Sequence, residues 1–265
     1  MAPHRIIRGT SLALVLCVLP ACSLRRMAGK TIADSLAHGS STYAQDDDPE
    51  LVREALPFGL KTLEGLSADL PRHRPLLRSL ASGFTSYAVA YVVPESERLE
   101  SVDVLASRAE RDRARRLLLR ARDYGLRGLG LKHPRFEQLL RADARKTAKV
   151  AGSKDVPLLY WTGASWAAAI SLSKDRPDLL AELPLVEALM DRALALDEGY
   201  GSGAIHTFFI SYEMSRPGGV GNAAARSREH FDRAMGLSQG LQAGPLVALA
   251  EAVCVQNQDL KEFVP

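Results

Sequence analysis

The residues around Ser165 come closest to a catalytic motif in this sequence. The stretch Gly163–Ala167, GASWA, is one residue away from the G-x-S-x-G nucleophile elbow, and His206 or His230 is the candidate base. An elbow holds its serine on a sharp turn between a strand and a helix. The preceding DVPLLYW is a weak strand candidate, and Ala167 replaces the closing glycine. We therefore expect Ser165 to lie on a helix, and serine hydrolysis is only a remote alternative.

Two glycine-rich stretches and the histidines lack the context that phosphate or metal binding requires. Gly199–Ala204 matches G-x-G-x-x-A, but it follows an amphipathic helix, so we interpret its glycines as a helix boundary. Arg216–Asn222 has no Gly-Lys-Ser/Thr and is interpreted as a loop. We expect no catalytic residue, no metal and no cofactor. No two histidines are three or four residues apart among His38, His73, His133, His206 and His230.

Aromatic side chains next to small residues on one helix favour a packed core, with the wall of a binding cavity as the alternative. Tyr160, Trp161 and Trp166 surround Gly163 and several alanines, which allow a second helix to approach closely. This pattern is typical of a helical core and equally of the wall of an apolar cavity. His206 precedes an aromatic pair, so it is either a hydrogen-bonded core histidine or a polar group inside an apolar site.

The N-terminus is typical of an exported lipoprotein. Residues 1–21 combine early positive charge with the apolar run LALVLCVL, which is too short to span a bilayer as a helix. The following LPAC resembles a lipobox in which Cys22 takes the lipid, although Pro20 departs from the pattern. An ordinary secretory signal is the alternative. The polar segment 22–48 is predicted to be a flexible tether.

The three cysteines fit this N-terminal assignment. Cys17 would leave with the signal peptide and Cys22 would carry the lipid, so only Cys254 would remain as a thiol. No intrachain disulfide is then possible in the mature chain. Cys254 follows an alanine-rich stretch and is expected to be a small buried side chain.

Composition and periodicity predict an all-α domain over residues 49–265. Apolar residues make up 46% and charged residues 25% of the chain, and Val/Ile/Thr alternation is scarce. Asp48 and Pro49 have the residue types of an N-cap and a first helical turn. A long basic helix lies further on, and its predicted apolar side consists of Leu105, Ala109, Leu118 and Ala121.

The strongest run of charge is Arg108–Arg122, within that long helix. Glu110 and Asp112 partly neutralise it. A solvated helix face is one interpretation, and a docking face for an acidic partner is the other. The net charge of +3 is too small to indicate a nucleic-acid partner, and we expect none.

The spacing of large and small residues in two helices resembles that of tetratricopeptide-type repeats. Ala193 and Ala234 lie further apart than the roughly 34 residues of a standard repeat, and the excess falls in Ser215–Asn222. We predict antiparallel helix pairs of degenerate tetratricopeptide-like repeats that form a compact helical body. A repeat body usually closes with a polar capping helix. The final DLKEFVP is not one, which led us to expect a C-terminal truncation.

Several spaced motifs occur in the order found in one family. They are LLRSLASGFTSYAVAYV, RARDYGLRGL, DVPLLYWTGASWAAAISLSKD, LPLVEALMDRALALDEGYGSGAIHTFF and SREHFDRAMGLSQG. Their order resembles that of the T component of tripartite ATP-independent periplasmic (TRAP) transporters, the TatT-type lipoproteins, over Leu51–Phe263. The resemblance implies an all-α fold without catalytic residues and a cavity or pore. The positions that match the family are Tyr160, Trp161, Gly163, Trp166, Tyr200, Gly203, His206 and Phe208, and cavity-lining groups are expected among them.

The same resemblance implies a role and partners. The protein is expected to bind a periplasmic solute-binding protein, to self-associate, and to help transfer a small organic ligand. A lipid on Cys22 would anchor it in a membrane, and Ser23 after the cysteine resembles the outer-membrane sorting pattern, facing the periplasm. A helical-repeat scaffold of the cell envelope without a small ligand is the alternative.

Overall fold

The computed structural model describes residues 30–31, 33–35, 43 and 45–258. The predicted signal peptide, the lipidation site Cys22 and residues 259–265 lie outside the described residues, so the predictions that concern them stay predictions. Within the described residues all regular secondary structure is helical and no β-strand occurs. The all-α prediction is therefore confirmed.

The helices follow one another with short connections. They are α1 Pro49–Asp69, α2 Arg74–Tyr87, α3 Val93–Glu100, α4 Val104–Gly130, α5 Phe136–Ala142, α6 Ala144–Ala148, α7 Val156–Ser171, α8 Pro177–Leu180, α9 Leu183–Leu196, α10 Ala204–Glu213, α11 Ala223–Ser238, α12 Gly244–Leu249 and α13 Val255–Asn257. Two π-helical stretches, Ala88–Val92 and Ala250–Cys254, join α2 to α3 and α12 to α13. Short 3-10 turns, Ser153–Asp155 and Tyr200–Ser202, precede α7 and α10.

Side-chain caps fix where the first helices start. Asp48 accepts hydrogen bonds from two amides of the first turn of α1 at 3.1 and 3.0 Å, and Pro49 occupies that turn, as predicted. Asp103 caps α4 in the same way, with two bonds of 3.0 Å. His73 caps α2 through its Nδ1 atom. Each cap satisfies amides that have no partner within the helix.

The helices pack as antiparallel pairs. The run α2–α3 lies along α4, α7 lies along α9, and α10 lies along α11. Arg74 at the start of α2 bonds the carbonyl of Gly128 at the end of α4, and Arg192 near the end of α9 bonds the carbonyl of Ala151 ahead of α7. Helix α7 also lies against α2 and α4, which joins the first two pairs into one body. Their relation to tetratricopeptide repeats stays a prediction.

Glycines permit two of the close approaches. A Cβ added at Gly163 on α7 would lie 2.6 Å from the sulfur of Met190 on α9, so a larger residue here would require the Met190 side chain to move. Gly203 has φ +94°, and a Cβ there would lie 3.1 Å from Cα of Ala234 on α11. Gly199–Ala204 is thus a helix boundary, as predicted, and Arg216–Asn222 is a loop, as predicted.

The predicted apolar side of α4 is correct in its second half and wrong in its first. Leu118 and Ala121 are fully buried, but Leu105 is 77% exposed and Ala109 is exposed. The first turn of α4 lies beside α3, to which Ser107 donates a 2.7 Å hydrogen bond. Periodicity gives the side of a helix that is apolar, but not how far the partner helix extends.

Part of the predicted tether, residues 22–48, packs against the helical body. Residues 30–31 and 33–35 are helical, and Ala33 is fully buried beside Val52 and Leu56 of α1. Asp34 accepts a 2.9 Å hydrogen bond from His73 Nε2. The tether prediction is therefore wrong for these residues. The segment is polar overall, but a single apolar residue in it, Ala33, is buried against α1.

One helical run has the length and composition of a membrane span. Among the described residues it is Arg74–Glu100, with 27 residues. Half of its most apolar window is buried inside the protein against α1, α4 and α7. We interpret it as the central helix of the core.

A buried carboxylate connects three segments of this body. Asp155 is fully buried and accepts hydrogen bonds from the Gly152 amide at 2.8 Å, His133 Nε2 at 3.0 Å and Lys132 Nζ at 3.0 Å. Arg74 pairs with its second oxygen. Burial opposes ionisation, but these donors and charges outweigh burial and hold the pKa of Asp155 well below its usual range. The carboxylate thus ties α2 and the loop after α4 to the start of α7.

We predict that Asp155→Asn lowers the free energy of unfolding at neutral pH by about 3–5 kcal/mol, because it leaves the cations of Arg74 and Lys132 facing a neutral amide. Urea unfolding followed by circular dichroism measures the change. Asp123→Asn is the matched control, since Asp123 is an exposed carboxylate paired with Arg122. The control should cost less than about 1 kcal/mol. Equal losses in the two variants would contradict the central role of Asp155.

Candidate functional site

A groove of about 570 Å³ lies between α1, α2 and the start of α7. Its floor is a stripe of small residues on α2, where Ser79, Ser82, Gly83 and Ser86 recur at helical spacing. Larger side chains at these positions would fill the space, so the stripe itself creates the groove. Its volume is within the range of pockets for small organic ligands.

The walls of the groove are aromatic and apolar. Helix α7 supplies Pro157 and Trp161, α1 supplies Val52 and Leu56, and Tyr200 comes from the turn before α10. Three further lining residues are Tyr43, Ala90 and Tyr91. The described lining residues contain no His, Cys, Asp, Glu or Lys. The groove therefore offers surfaces for binding but no side chain with the pKa of a general base near neutral pH.

Arg78 is the one charged side chain among the described residues that line the groove. It is partly buried and forms no hydrogen bond or ion pair with the described residues. Most buried charges in proteins are paired, because desolvation is costly otherwise. The guanidinium carries five donors suited to a planar anion. Arg78 is thus placed to bind a carboxylate, sulfonate or phosphate group on a ligand.

The structure divides the sequence-predicted site residues among three places. Trp161 and Tyr200 line the groove, and Tyr160 packs on both, with ring centroids 5.0 and 5.3 Å apart. Burial raises the pKa of Tyr160 to about 12, so this phenol stays neutral. Gly203 lies one turn further on, in the contact with α11. Tyr160, Trp161 and Tyr200 thus form one continuous aromatic region at the groove.

Trp166 and Gly163 face the opposite side of α7. Trp166 is fully buried, donates a 2.8 Å hydrogen bond from Nε1 to Glu182, and lies between the guanidinium groups of Arg122 and Arg141. Gly163 lies against α9. Neither lines the groove. Both residues hold the helix pair α7–α9 together.

Phe208 and His206 lie on α10, away from the groove. Phe208 stacks on Tyr212 at 5.4 Å. The Nδ1 atoms of His206 and His230 are 2.8 Å apart, so one ring donates its N–H and the other accepts it with a lone pair, which requires the accepting ring to be neutral. Sequence spacing could not reveal this pair, because it joins two helices. Among the described residues no group of three or more His, Cys, Asp or Glu is placed to hold a metal ion.

Ser165 is in the middle of α7 and not on a turn. It is fully buried, and its hydroxyl donates a 3.0 Å hydrogen bond to the Thr162 carbonyl one turn earlier. The candidate bases His206 and His230 bond each other. The chain therefore has no nucleophile elbow at this position.

Sequence reasoning missed Arg78 and the small stripe on α2. The signal was present in RSLASGFTS, where Arg78, Ser82 and Ser86 follow one another every four residues. A polar stripe on a helix that is otherwise apolar is more often a solvated face. Only the position of Trp161 and Tyr200 opposite this stripe turns it into the floor of a groove.

Comparison with known proteins gives the family. A family model described as "TRAP transporter T-component" matches residues 45–265. The chain belongs to the TRAP transporter T-component family. A curated protein of Treponema pallidum (strain Nichols), described as "Uncharacterized protein", is 26% identical over 271 residues, which cover 95% of this chain and 84% of that protein. The resemblance inferred from the ordered motifs is confirmed.

Membership defines the general role of the protein. The T-component is an accessory part of a TRAP transporter, associated with the membrane and facing the periplasm.

We predict that Arg78→Ala weakens binding of the anionic dye anilinonaphthalene sulfonate by about tenfold or more, because a hydrogen bond to a charged group contributes roughly 1.5–3 kcal/mol. Phenylnaphthylamine lacks the sulfonate and should bind the wild-type T-component and the variant about equally well. Fluorescence titration of each dye measures both affinities.

Two further variants control this experiment. Arg116→Ala removes an exposed arginine of α4 outside the groove and should leave both dyes unaffected. Ser86→Trp places a large ring at the exposed edge of the groove and should weaken both. If Arg78→Ala weakened both dyes equally, Arg78 would have no role in recognising the anion.

The pair His206–His230 predicts an acid sensitivity. Burial, and then the charge of His206, lowers the pKa of His230 to about 4, and burial lowers the pKa of His206 as well. Unfolded histidines titrate near 6.5. Between about pH 6.5 and 5, His230 takes up a proton in the unfolded chain but stays neutral in the folded T-component, so stability falls as pH falls.

We expect a loss of about 1 kcal/mol over this interval, after allowance for the partial solvent access of His230. Urea unfolding at several pH values measures it. Carboxylates titrate mostly below this interval, so they contribute little to the slope. His230→Gln should flatten the dependence, and an unchanged slope would show that the pair does not cause it.

Proposed function

We propose that this T-component exchanges a small anionic organic ligand with a periplasmic solute-binding protein, and that the groove holds the ligand during the exchange. The observation that carries the proposal is the unpaired guanidinium of Arg78 inside an aromatic groove of about 570 Å³. Apolar walls supply affinity, and one charged group fixes the orientation of the ligand. Membership in the family supports the transport context.

The form of the groove favours transfer over storage. Ser86 and Ala90 at its edge are exposed, so a ligand can enter and leave without a large movement of the helices. Arg78 lies deeper and is only partly accessible. A charge in a low-dielectric groove attracts an anion more strongly than one on a flat surface. A ligand would thus be oriented with its anionic end inward.

The attachment to the membrane is part of the proposal. A lipid on Cys22 would hold the T-component at a membrane surface, and we place it in the outer membrane, facing the periplasm. The first described residues after Cys22 pack on α1 and α2, since Ala33 is buried and Asp34 bonds His73. Such docking would keep the groove close to the anchored end of the chain. Self-association of the protein is a further expectation of the family.

We predict saturable binding between the full mature T-component and its cognate solute-binding protein, with an affinity in the micromolar range typical of transient complexes. Surface plasmon resonance measures it. A solute-binding protein loaded with its own ligand should lose that ligand faster when the T-component is present. Stopped-flow fluorescence follows the loss.

The variant Arg78→Ala separates binding from transfer. It should keep its affinity for the solute-binding protein within about twofold and slow the ligand exchange by about tenfold, in line with the charge-assisted hydrogen bond that is removed. Exchange at the wild-type rate would show that the groove is not the route. Absence of any complex would favour the envelope scaffold instead.

A further inference from the structure

Positive charge is concentrated in one short segment of the chain. Residues 132–154 contain seven Lys or Arg and only two acidic residues, whereas the whole chain has a net charge of +3. The two acids are not free: Glu137 pairs with Arg141, and Asp143 caps α6 through a 3.0 Å bond to the Lys146 amide. The surface of this segment is therefore strongly basic.

Four of these cations have no acidic partner among the described residues. They are Arg135, Lys146, Lys149 and Lys154, and all four are exposed. The remaining three each bond a carboxylate, including Lys132 with the buried Asp155. An exposed lysine alone is unremarkable in a protein. Four unpaired cations within twenty residues raise the local potential and favour an acidic partner.

The basic segment also encloses an apolar cleft. We define the basic cleft by its lining residues Lys132, His133, Pro134, Phe136, Leu139, Ala142, Asp143, Lys146, Thr147 and Val150, which surround about 490 Å³ between α5 and α6. Phe136 forms a buried floor, while Leu139 and Val150 are 43% and 56% exposed at its edge. Exposed apolar side chains around a concavity are typical of an interaction site.

The basic cleft is close to the groove. Lys132 at its edge bonds Asp155, whose other oxygen pairs with Arg74. Arg74 shares a small crevice of about 110 Å³ with Arg78 and Pro157, and these last two residues also line the groove. A protein docked in the basic cleft would thus lie near the Arg78 end of the groove.

We propose that the basic cleft is where the solute-binding protein docks, through an acidic patch that inserts an apolar side chain between Leu139 and Val150. This inference rests on the proposed function, because it names the place where that partner binds. A concave surface suits a protruding side chain of a protein better than the flat surface of a membrane. The charge supplies orientation and a fast encounter, and the apolar floor supplies the buried contact.

The long run Arg108–Arg122 is a weaker candidate for the same role. Arg111, Arg113 and Arg115 each pair with a neighbouring carboxylate. Its charge is thus largely neutralised on its own surface. The docking-face interpretation of that helix is therefore less well supported than the solvated face.

Charge reversal tests the proposal. The double variant Lys146→Glu/Lys149→Glu should weaken binding of the solute-binding protein by tenfold or more, and the loss should shrink at high salt, because it is electrostatic. The matched control Arg108→Glu/Arg116→Glu changes the net charge by the same amount on α4 and should weaken binding less than threefold. Circular dichroism and thermal unfolding confirm that both variants fold.

A second variant tests the apolar part of the basic cleft. Leu139→Ser should weaken binding at low and high salt alike, since the lost contact is not electrostatic. If neither the charge reversal nor Leu139→Ser weakened binding, the solute-binding protein would dock elsewhere. The proposed function would still stand. Equal losses in the basic cleft and α4 variants would overturn it too, since they would indicate nonspecific attraction.

Two other outcomes would also contradict the proposal. If the wild-type T-component bound no solute-binding protein, both the proposed function and this docking site would fall. If the basic cleft variant lost only its sedimentation with vesicles containing phosphatidylglycerol and kept its protein partner, the basic cleft would be a lipid-binding surface. Retained vesicle binding together with lost protein binding is the expected result.

Discussion

The buried carboxylate of Asp155 is the interaction on which the geometry of this T-component depends. An ionised group without solvent needs several donors, and Asp155 obtains them from the Gly152 amide, His133, Lys132 and Arg74. These donors come from segments far apart in the chain. Once they converge, the start of α2, the end of α4 and the start of α7 have fixed positions. The groove begins at Arg78, one turn after Arg74 on α2, and at Pro157, two residues after Asp155 at the start of α7.

The third helix pair is attached by a different kind of contact. Helices α9 and α10 touch little, but Arg216 after α10 pairs with Glu187, Asp191 and Glu213. Burial opposes the charge of Arg216, yet these carboxylates outweigh it and raise the pKa of the guanidinium. Ion pairs have stricter geometry than apolar contacts. They therefore set the orientation of this pair, and with it the position of Tyr200, which leads into α10 and closes the groove.

Local sequence patterns predicted the helices, the cap at Asp48 and the helix boundary at Gly199–Ala204, because these depend on residues close together in the chain. They did not distinguish Trp161 from Trp166. The two lie five positions apart, so they point to well-separated sides of α7, which is packed on more than one side. Which side meets the groove depends on where α1 and α2 pass. Tertiary contacts of this kind also decided that Ala33 is buried and that Leu105 is exposed.

The low net charge of the chain conceals a division of its arginines and lysines into two kinds. Most cations of α4 pair with neighbouring carboxylates. Arg74 and Lys132 pair with Asp155. All of these cations stabilise the fold. Arg78 and the four cations of the basic segment have no acidic partner among the described residues. An exposed lysine gains little from a partner because water already solvates it. A partly buried guanidinium loses part of that solvation, so Arg78 gains more from an ionised partner than an exposed lysine does. Unpaired positive charge therefore lies on both sides of Asp155, at Arg78 in the groove and along the basic segment.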